Sequence, residues 1–191
     1  MKALLLNGCN KEDSEIDALF NSIMKELENN GWEIEAINLR DVNVAPCQGC
    51  FECWVKTPGE CKIDDYGRDL AKKMVQSELI IHFTPITFGG YSSELKKAVD
   101  RFIPTLLPFF AKIEGEIHHK HRYENRASII AIGTLNQPDS DKETVFKTLV
   151  QRNSLNTKAP IHEALIYIKQ ENNLKFLSDF NKILKKVGGS A

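Results

Sequence analysis

Two hydrophobic rhythms alternate along this chain: short unbroken apolar runs, and stretches in which apolar residues return every third or fourth position. The run Ala3-Leu4-Leu5-Leu6 marks residues 2–7 as a buried strand. Ile16, Leu19, Phe20, Ile23, Met24 and Leu27 then follow a 3.6-residue period, which predicts a helix. Ser14, with Asp17 three residues on, is the expected N-cap of that helix in a capping-box arrangement, and Gly31 is its stop. Residues 33–39 read as a second strand, Asp64 and Asp65 as caps of a helix to about Gln76, and residues 78–84 as a third strand closed by Pro85.

From Ser93 a helix carries Leu95, Ala98, Val99, Phe102 and Ile103 as far as Pro104. Residues 127–132 are the fourth strand, followed by a helix from about Ser140 with Val145, Phe146, Leu149 and Val150 inward. Residues 163–168 are the fifth, and a last helix places Leu177, Phe180, Leu184 and Val187 on one face before Gly188-Gly189. Five short apolar strands, each followed by a helical segment, predict a doubly wound α/β domain with a parallel sheet covered on both faces. One domain is expected over residues 1–191, interrupted by a cysteine-rich loop at about 44–63 and a long connection at about 104–126.

Composition narrows the function. A formal net charge of -1 gives no sign of a nucleic-acid partner. No apolar stretch approaches a membrane span, and the four apolar residues after Lys2 are too few for a signal peptide. A cytoplasmic protein with reduced thiols is expected, so that the five cysteines are read as ligands or core residues before disulfides.

Ligands of doubly wound sheets sit beyond the carboxyl ends of the strands, where the strand order reverses. For the order 2-1-3-4-5 that point lies between strands 1 and 3, which makes "NGCNKEDSE" and "TPITFGGYSS" the candidate segments. The first lacks G-x-G-x-x-G, so a full dinucleotide fingerprint is absent. The second is either a backbone surface for a flat ring or an ordinary turn capping the next helix through Ser92 or Ser93.

The most specific feature is "PCQGCFECWVKTPGEC". Cys47, Cys50 and Cys53 are spaced C-x2-C-x2-C, and Cys61 follows after seven residues. Two-residue gaps let a tight loop turn successive thiolates toward one centre, as an iron–sulfur cube requires. Structural zinc more often uses two well-separated pairs. Free thiols and a redox disulfide are the remaining readings. Lys56 and Lys62 are placed to offset cluster charge, Phe51 and Trp54 to limit water, and Cys9 reads as a small residue in its turn. His118, His119 and His121 suit a metal site by spacing, but a polar loop or subunit contact is the simpler reading.

Taken together, "KALLLNG", the cysteine segment, "TPITFGGYSSELKKAVDRFIP" and "HHKHRYENRASIIAIGT" resemble the flavodoxin-fold NAD(P)H-dependent FMN reductases, and in particular their iron–sulfur flavoprotein branch. The resemblance implies non-covalent FMN, with its phosphate in the first loop at Gly8, Cys9, Asn10, Lys11 and Ser14. The isoalloxazine would lie along Pro85, Ile86, Thr87, Phe88, Gly89 and Tyr91, with a third contact from Thr134, Leu135 and Asn136. It implies NAD(P)H as a transient donor, a 4Fe-4S cluster on Cys47, Cys50, Cys53 and Cys61, and dimers or tetramers that help to enclose the flavin. A redox protein such as a ferredoxin is a further compatible partner.

Two positions depart from the family. Its first loop usually reads like G-S-P-R-x-x-S-N-T, whereas here Glu12, Asp13 and Glu15 crowd the turn. A carboxylate about 5 Å from a phosphate costs roughly 3 kcal/mol at an effective dielectric near 20. Thr87 stands where the family often has an aromatic residue. The alternative function is therefore a flavodoxin-like domain that has lost FMN and acts as a binding or metal-sensing module.

Overall fold

The computed structural model describes the chain apart from Glu114, Glu171, Ser190 and Ala191. Its frame is a parallel sheet of β1 (Lys2–Asn7), β2 (Glu33–Asn38), β3 (Leu79–Pro85), β6 (Ser128–Leu135) and β7 (His162–Ile168), in the order β2-β1-β3-β6-β7. Counting only these five strands, this is the expected 2-1-3-4-5. Side chains alternate across the pleat. Leu5, Ile81, Phe83 and Ile130 face α1 (Ser14–Asn29) and α6 (Asn173–Gly188). Leu4, Leu6, Ile80 and Ala131 face α3 (Tyr66–Gln76), α4 (Ser93–Asp100) and α5 (Ser140–Thr157). A one-turn helix, α2 (Glu52–Val55), lies in the cysteine loop.

Element ends show where local chemistry differs from expectation. The N-cap of α1 is Asp13, not Ser14: Asp13 is extended (φ -151°, ψ 110°), and Ser14 is already helical. Asp13 Oδ1 accepts from the Ile16 N–H at 3.2 Å, and Asp17 Oδ2 accepts from the Asp13 N–H at 3.2 Å. The reciprocal box exists, one residue earlier and built from two aspartates. Asp65 caps α3 through Gly67 N, and Ser92 caps α4 through Leu95 N. That helix stops at Asp100 instead of reaching Pro104, and a 3-10 turn (Ile103–Thr105) follows. Val145, expected inward, is 52% exposed, while Phe146 and Val150 fill the core.

The largest departure is the long connection, which is not a loop. Residues Leu106–Ile113 (β4) and Glu116–His121 (β5) form an antiparallel hairpin. Its register shifts between Leu106 and Phe110, where Pro108 has no N–H to give the ladder. The same proline hides the strand from a reading by periodicity. The hairpin docks on α5: His118 Nδ1 lies 3.0 Å from Asn156 Oδ1, and Arg152 Nη1 donates to Glu116 Oε1 at 2.8 Å.

One buried ion pair ties these parts together. Arg101, just past α4, is 1% exposed at its side chain, and Asp65 is 4% exposed. The guanidinium donates to both Asp65 oxygens, at 2.9 and 2.7 Å, and also to the carbonyls of Ala45 (2.9 Å) and Ile63 (3.2 Å). Those two carbonyls lie on either side of the four clustered cysteines. Burial alone would raise the Asp65 carboxyl, but hydrogen bonds from Arg101, Ala45 N and Gly67 N hold it below the usual range. Gly67 is required by closeness: a Cβ there would stand 2.6 Å from the Arg101 guanidinium carbon.

Removing one partner leaves a buried charge uncompensated, so Arg101→Ala should cost about 3–5 kcal/mol in urea denaturation. Gly67→Ala, which only crowds the pair, should cost about 1–3 kcal/mol. A loss below about 1 kcal/mol for Arg101→Ala would mean that the loop is held elsewhere.

Candidate functional site

β1 and β3 lie side by side, and the order of the sheet reverses between them. Gly8 N donates to Phe83 O at 2.7 Å, extending that pairing by one bond. The glycine is needed for contact with α4: a Cβ would lie 2.7 Å from Ser92 Oγ and 2.8 Å from Leu95 Cβ. Ser92 Oγ donates to Gly8 O at 2.6 Å and so stitches the first loop to the third. Asn7 Oδ1 accepts from Cys9 N at 3.0 Å.

Above this edge opens a cavity of about 670 Å³. Three expected segments meet there: Cys9, Asn10 and Lys11 from the first loop, Pro85, Ile86 and Thr87 after β3, and Thr134, Leu135 and Asn136 from β6 and its end. Gly8, Ser14, Phe88, Gly89 and Tyr91 do not line it. Tyr91 is buried below, its hydroxyl accepting from Asn153 Nδ2 at 3.1 Å and its ring edge-on to His82 and Phe146. Phe88 and Gly89 form the tip of a tight turn closed by reciprocal bonds between Thr87 and Gly90. With φ of 50° at Phe88 and 79° at Gly89, this is a type I′ geometry that a bulky side chain adopts under strain. Phe88 is 97% exposed.

The cavity also takes in residues that sequence reading did not assign to it, among them Ser92, Gln137, Lys142 and Lys169. Lys169 follows β7, and its ammonium meets the Asp13 carboxylate. That bond, with the Ile16 N–H, holds the Asp13 carboxyl below its usual range. Glu15 turns the other way, accepting from Gln170 N at 2.7 Å and from the Tyr167 hydroxyl at 2.8 Å. Of the three acidic residues, then, Glu15 is withdrawn, Glu12 is exposed at the rim, and Asp13 sits on a helix donor and a lysine that an anion would use. Cys9 is buried, and burial followed by Asp17 pushes its thiol up to about 11, so it stays protonated at neutral pH.

The cysteine loop leaves the same end of the sheet after β2. Gly49 (φ 63°) and Phe51 (φ 57°) turn the backbone left-handed on either side of Cys50, which carries Cys53 inward on α2. Cys53 is buried, Cys61 half-buried, and Cys47 and Cys50 exposed, all as free thiols. All four line a second cavity of about 520 Å³. Burial, then the neighbouring Cys61, Cys47 and Cys50, push the Cys53 thiol up. Among the described residues no three His, Cys, Asp or Glu side chains converge at metal-binding spacing. The donor chemistry nevertheless fits a thiolate-held centre, with four thiols around one cavity and within electrostatic reach of one another. Lys56 and Lys62 both pair with Glu52, at 3.2 and 3.3 Å. Phe51 stacks on Trp54, Trp54 lies 4.8 Å from His119, and His119 lies 4.7 Å from Phe110. This run of rings clamps the loop to the hairpin, giving His119 a packing role.

Sheet order and the cavity at its reversal define a flavodoxin-like α/β protein. Over residues 1–134 the chain matches NADPH-dependent FMN reductase, and it belongs to that family. An iron-sulfur flavoprotein of Methanocaldococcus jannaschii is 33% identical over 109 residues, covering 57% of this chain and 55% of that protein. One from Archaeoglobus fulgidus is 28% identical over 104 residues, covering 54% and 46%. The matched region thus spans about half the length of these curated relatives. Among solved structures, the NAD(P)H:quinone oxidoreductase of Methanothermobacter marburgensis superimposes with a TM-score of 0.71 at 10% identity, covering 98% of this chain and 97% of that one. An FMN-dependent NADH-azoreductase of Bacillus anthracis in complex with FMN gives 0.63 at 15% identity, covering 100% and 99%. These two likenesses concern the fold. No helix among the described residues is long and apolar enough to cross a membrane.

One buried group stands apart from both loops. His82, on β3, has no hydrogen-bond partner for either ring nitrogen, and burial pushes its pKa down to about 4. The unfolded chain takes up a proton near 6.5 that the folded chain refuses until about 4. Stability should therefore be unaffected by this group above pH 6.5 and fall as pH drops toward 4, by roughly 3 kcal/mol. His82→Phe should flatten that part of the curve when urea midpoints are measured from pH 7 to 4. Parallel curves for the two proteins would show that His82 titrates normally.

Proposed function

We propose that the protein is an FMN-dependent oxidoreductase that takes electrons from NAD(P)H. The observation carrying this reading is the cavity at the β1/β3 reversal, where three loops meet in a chain of the NADPH-dependent FMN reductase family. FMN would supply hydride and single-electron chemistry; the protein binds it, orients it and keeps water off. Asn10, Lys11 and the first N–H groups of α1 would receive the phosphate. Pro85, Ile86 and Thr87 would border the ring, and Thr134 to Asn136 would close its far side. Quinones and azo compounds, named for the structural neighbours, are the acceptors to assay first. Cys47, Cys50, Cys53 and Cys61 would hold a 4Fe-4S cluster for one-electron transfer, a reading supported by the words iron-sulfur in the relatives' name.

Asp13 supports the second reading, a domain without flavin, because its carboxylate already occupies Lys169 and the Ile16 N–H. A titration of apo-protein with FMN separates the two. Wild type should bind, and Asp13→Ser, which keeps a helix cap and frees Lys169, should bind about tenfold tighter. The gain should grow at low salt. If neither protein binds FMN, the flavin reading fails.

The cysteines should act as a unit. In anaerobic preparations Cys50→Ser should lose iron and acid-labile sulfide, and Cys9→Ser should lose neither. Stoichiometric zinc without sulfide would replace the iron–sulfur reading.

Phe109 and Phe110 are each 61% exposed on β4, and Ile117 on β5 is exposed with them. Such a patch fits a homo-oligomer interface. Sedimentation equilibrium should give a dimer or tetramer that Phe109→Glu with Phe110→Glu dissociates. A monomeric wild type would refute the interface.

A further inference from the structure

The four clustered cysteines are held unequally. Cys47, Cys50 and Cys53 share one tight loop, and Cys53 is anchored on α2. Cys61 lies further on, in a segment between α2 and α3 that forms no helix or strand. Ordering such a segment has an entropic cost, and without ties to the frame it would swing. A small turn supplies the first ties. Thr57 Oγ1 donates to Glu60 O at 2.8 Å, Glu60 N to Thr57 O at 2.9 Å and Gly59 N to Cys53 O at 3.0 Å. These bonds stop one residue short of Cys61.

Arg68 supplies the next tie. It lies in the first turn of α3 and reaches back over the segment that precedes the helix. Its Nε donates to Cys61 O at 2.9 Å and its Nη2 to Lys62 O at 3.4 Å. Its Nη1 pairs with Glu60 at 2.8 Å and Asp64 at 3.1 Å. One planar group thus grips residues 60, 61, 62 and 64, with the cysteine in their midst. Among the described residues, Cys61 is the one clustered cysteine whose carbonyl accepts from a side chain. Two carboxylates outweigh the single positive charge of Arg68, so it has little left to offset a thiolate. What it adds is geometry: a rigid fork with donors in several directions, which the single nitrogen of a lysine cannot reproduce.

We propose that Arg68 is the positioning residue of the cysteine site, fixing Cys61 so that the fourth thiol faces the cavity that the other three line. This rests on the reading of the four cysteines as one metal-binding unit. Glu60 and Asp64 are both exposed, so their ion pairs with Arg68 contribute little to the stability of the fold. Loss of Arg68 therefore shows in the ligand set and not in unfolding.

The test titrates cobalt(II) into the reduced, metal-free full-length chain under anaerobic conditions, since charge-transfer absorbance rises with each thiolate bound. Wild type should engage all four thiolates. Arg68→Ala should bind about tenfold more weakly, with the lower absorbance of Cys61→Ser. Adding Arg68→Ala to Cys61→Ser should weaken binding no further, because both changes act through one ligand. Arg68→Lys keeps the charge and should keep the defect, which leaves the test open if Arg68→Ala does not fold. Urea midpoints of the Arg68 variants should stay near wild type. Wild-type affinity in Arg68→Ala, an additive loss in the double variant, full recovery in Arg68→Lys, or fewer than four thiolates in wild type would each overturn the role. A wild type that gathers four thiolates around cobalt yet is isolated without iron or sulfide would fail the cluster reading and leave Arg68 as the residue that places Cys61.

Discussion

A single guanidinium beside a single carboxylate organises one end of this protein. Arg101 and Asp65 come from segments with no sequence relation, and each does several things at once. Asp65 begins α3, receives Ala45 N and neutralises Arg101; Arg101 finishes α4 and gathers the carbonyls of Ala45 and Ile63. A hydrophobic pair of the same volume would pack as well, but it could not satisfy two loop carbonyls and a helix N-terminus. The cysteine loop is a long excursion whose two feet are pinned within reach of one side chain. Between the feet its backbone is set by left-handed turns at Gly49 and Phe51 and by the rings of Phe51 and Trp54.

The β1/β3 edge obeys a different electrostatic rule. There the same kind of contact, Lys169 to Asp13, lies in the cavity, where solvent and ligands compete for it. A buried pair fixes a shape, whereas an accessible one can be exchanged. The acidic loop is therefore less hostile to an anion than its composition suggests. Glu15 belongs to the end of β7, and Asp13 is held by groups that an incoming phosphate would also seek.

Much of this was legible in the chain. Apolar runs located β1, β3 and β6, because a strand buried on both faces leaves few polar positions to confuse its period, while the edge strands β2 and β7 were read from shorter, interrupted runs. The helix stripes were equally clear, as were the caps at Asp65 and Ser92. The failures have separate causes. Ser14 lost the cap to Asp13 because both residue types cap well, and only backbone angles decide. Val145 was placed inward by a stripe that includes more apolar residues than the core accepts. The hairpin was missed because Pro108 and three histidines obscure its alternation, and His118 is inward only because Asn156 meets it. Lys169 was invisible for a simpler reason: it lies 156 positions from the carboxylate it serves. Tyr91 looked like a ring neighbour for a flavin by composition, and its depth depends on Asn153 and Phe146, far along the chain.

The run of rings from Phe51 through Trp54 and His119 to Phe110 has an optical consequence. The chain contains two tryptophans, and Trp32 is sealed in the core against α1 and α6. Trp54 instead donates its indole N–H to Ile103 O at 3.1 Å and shares its faces with Phe51 and His119. Ultraviolet emission is thus divided between a dye embedded in the frame and one mounted where the thiol loop meets the hairpin. The protein carries its own gauge of that junction, readable without any label.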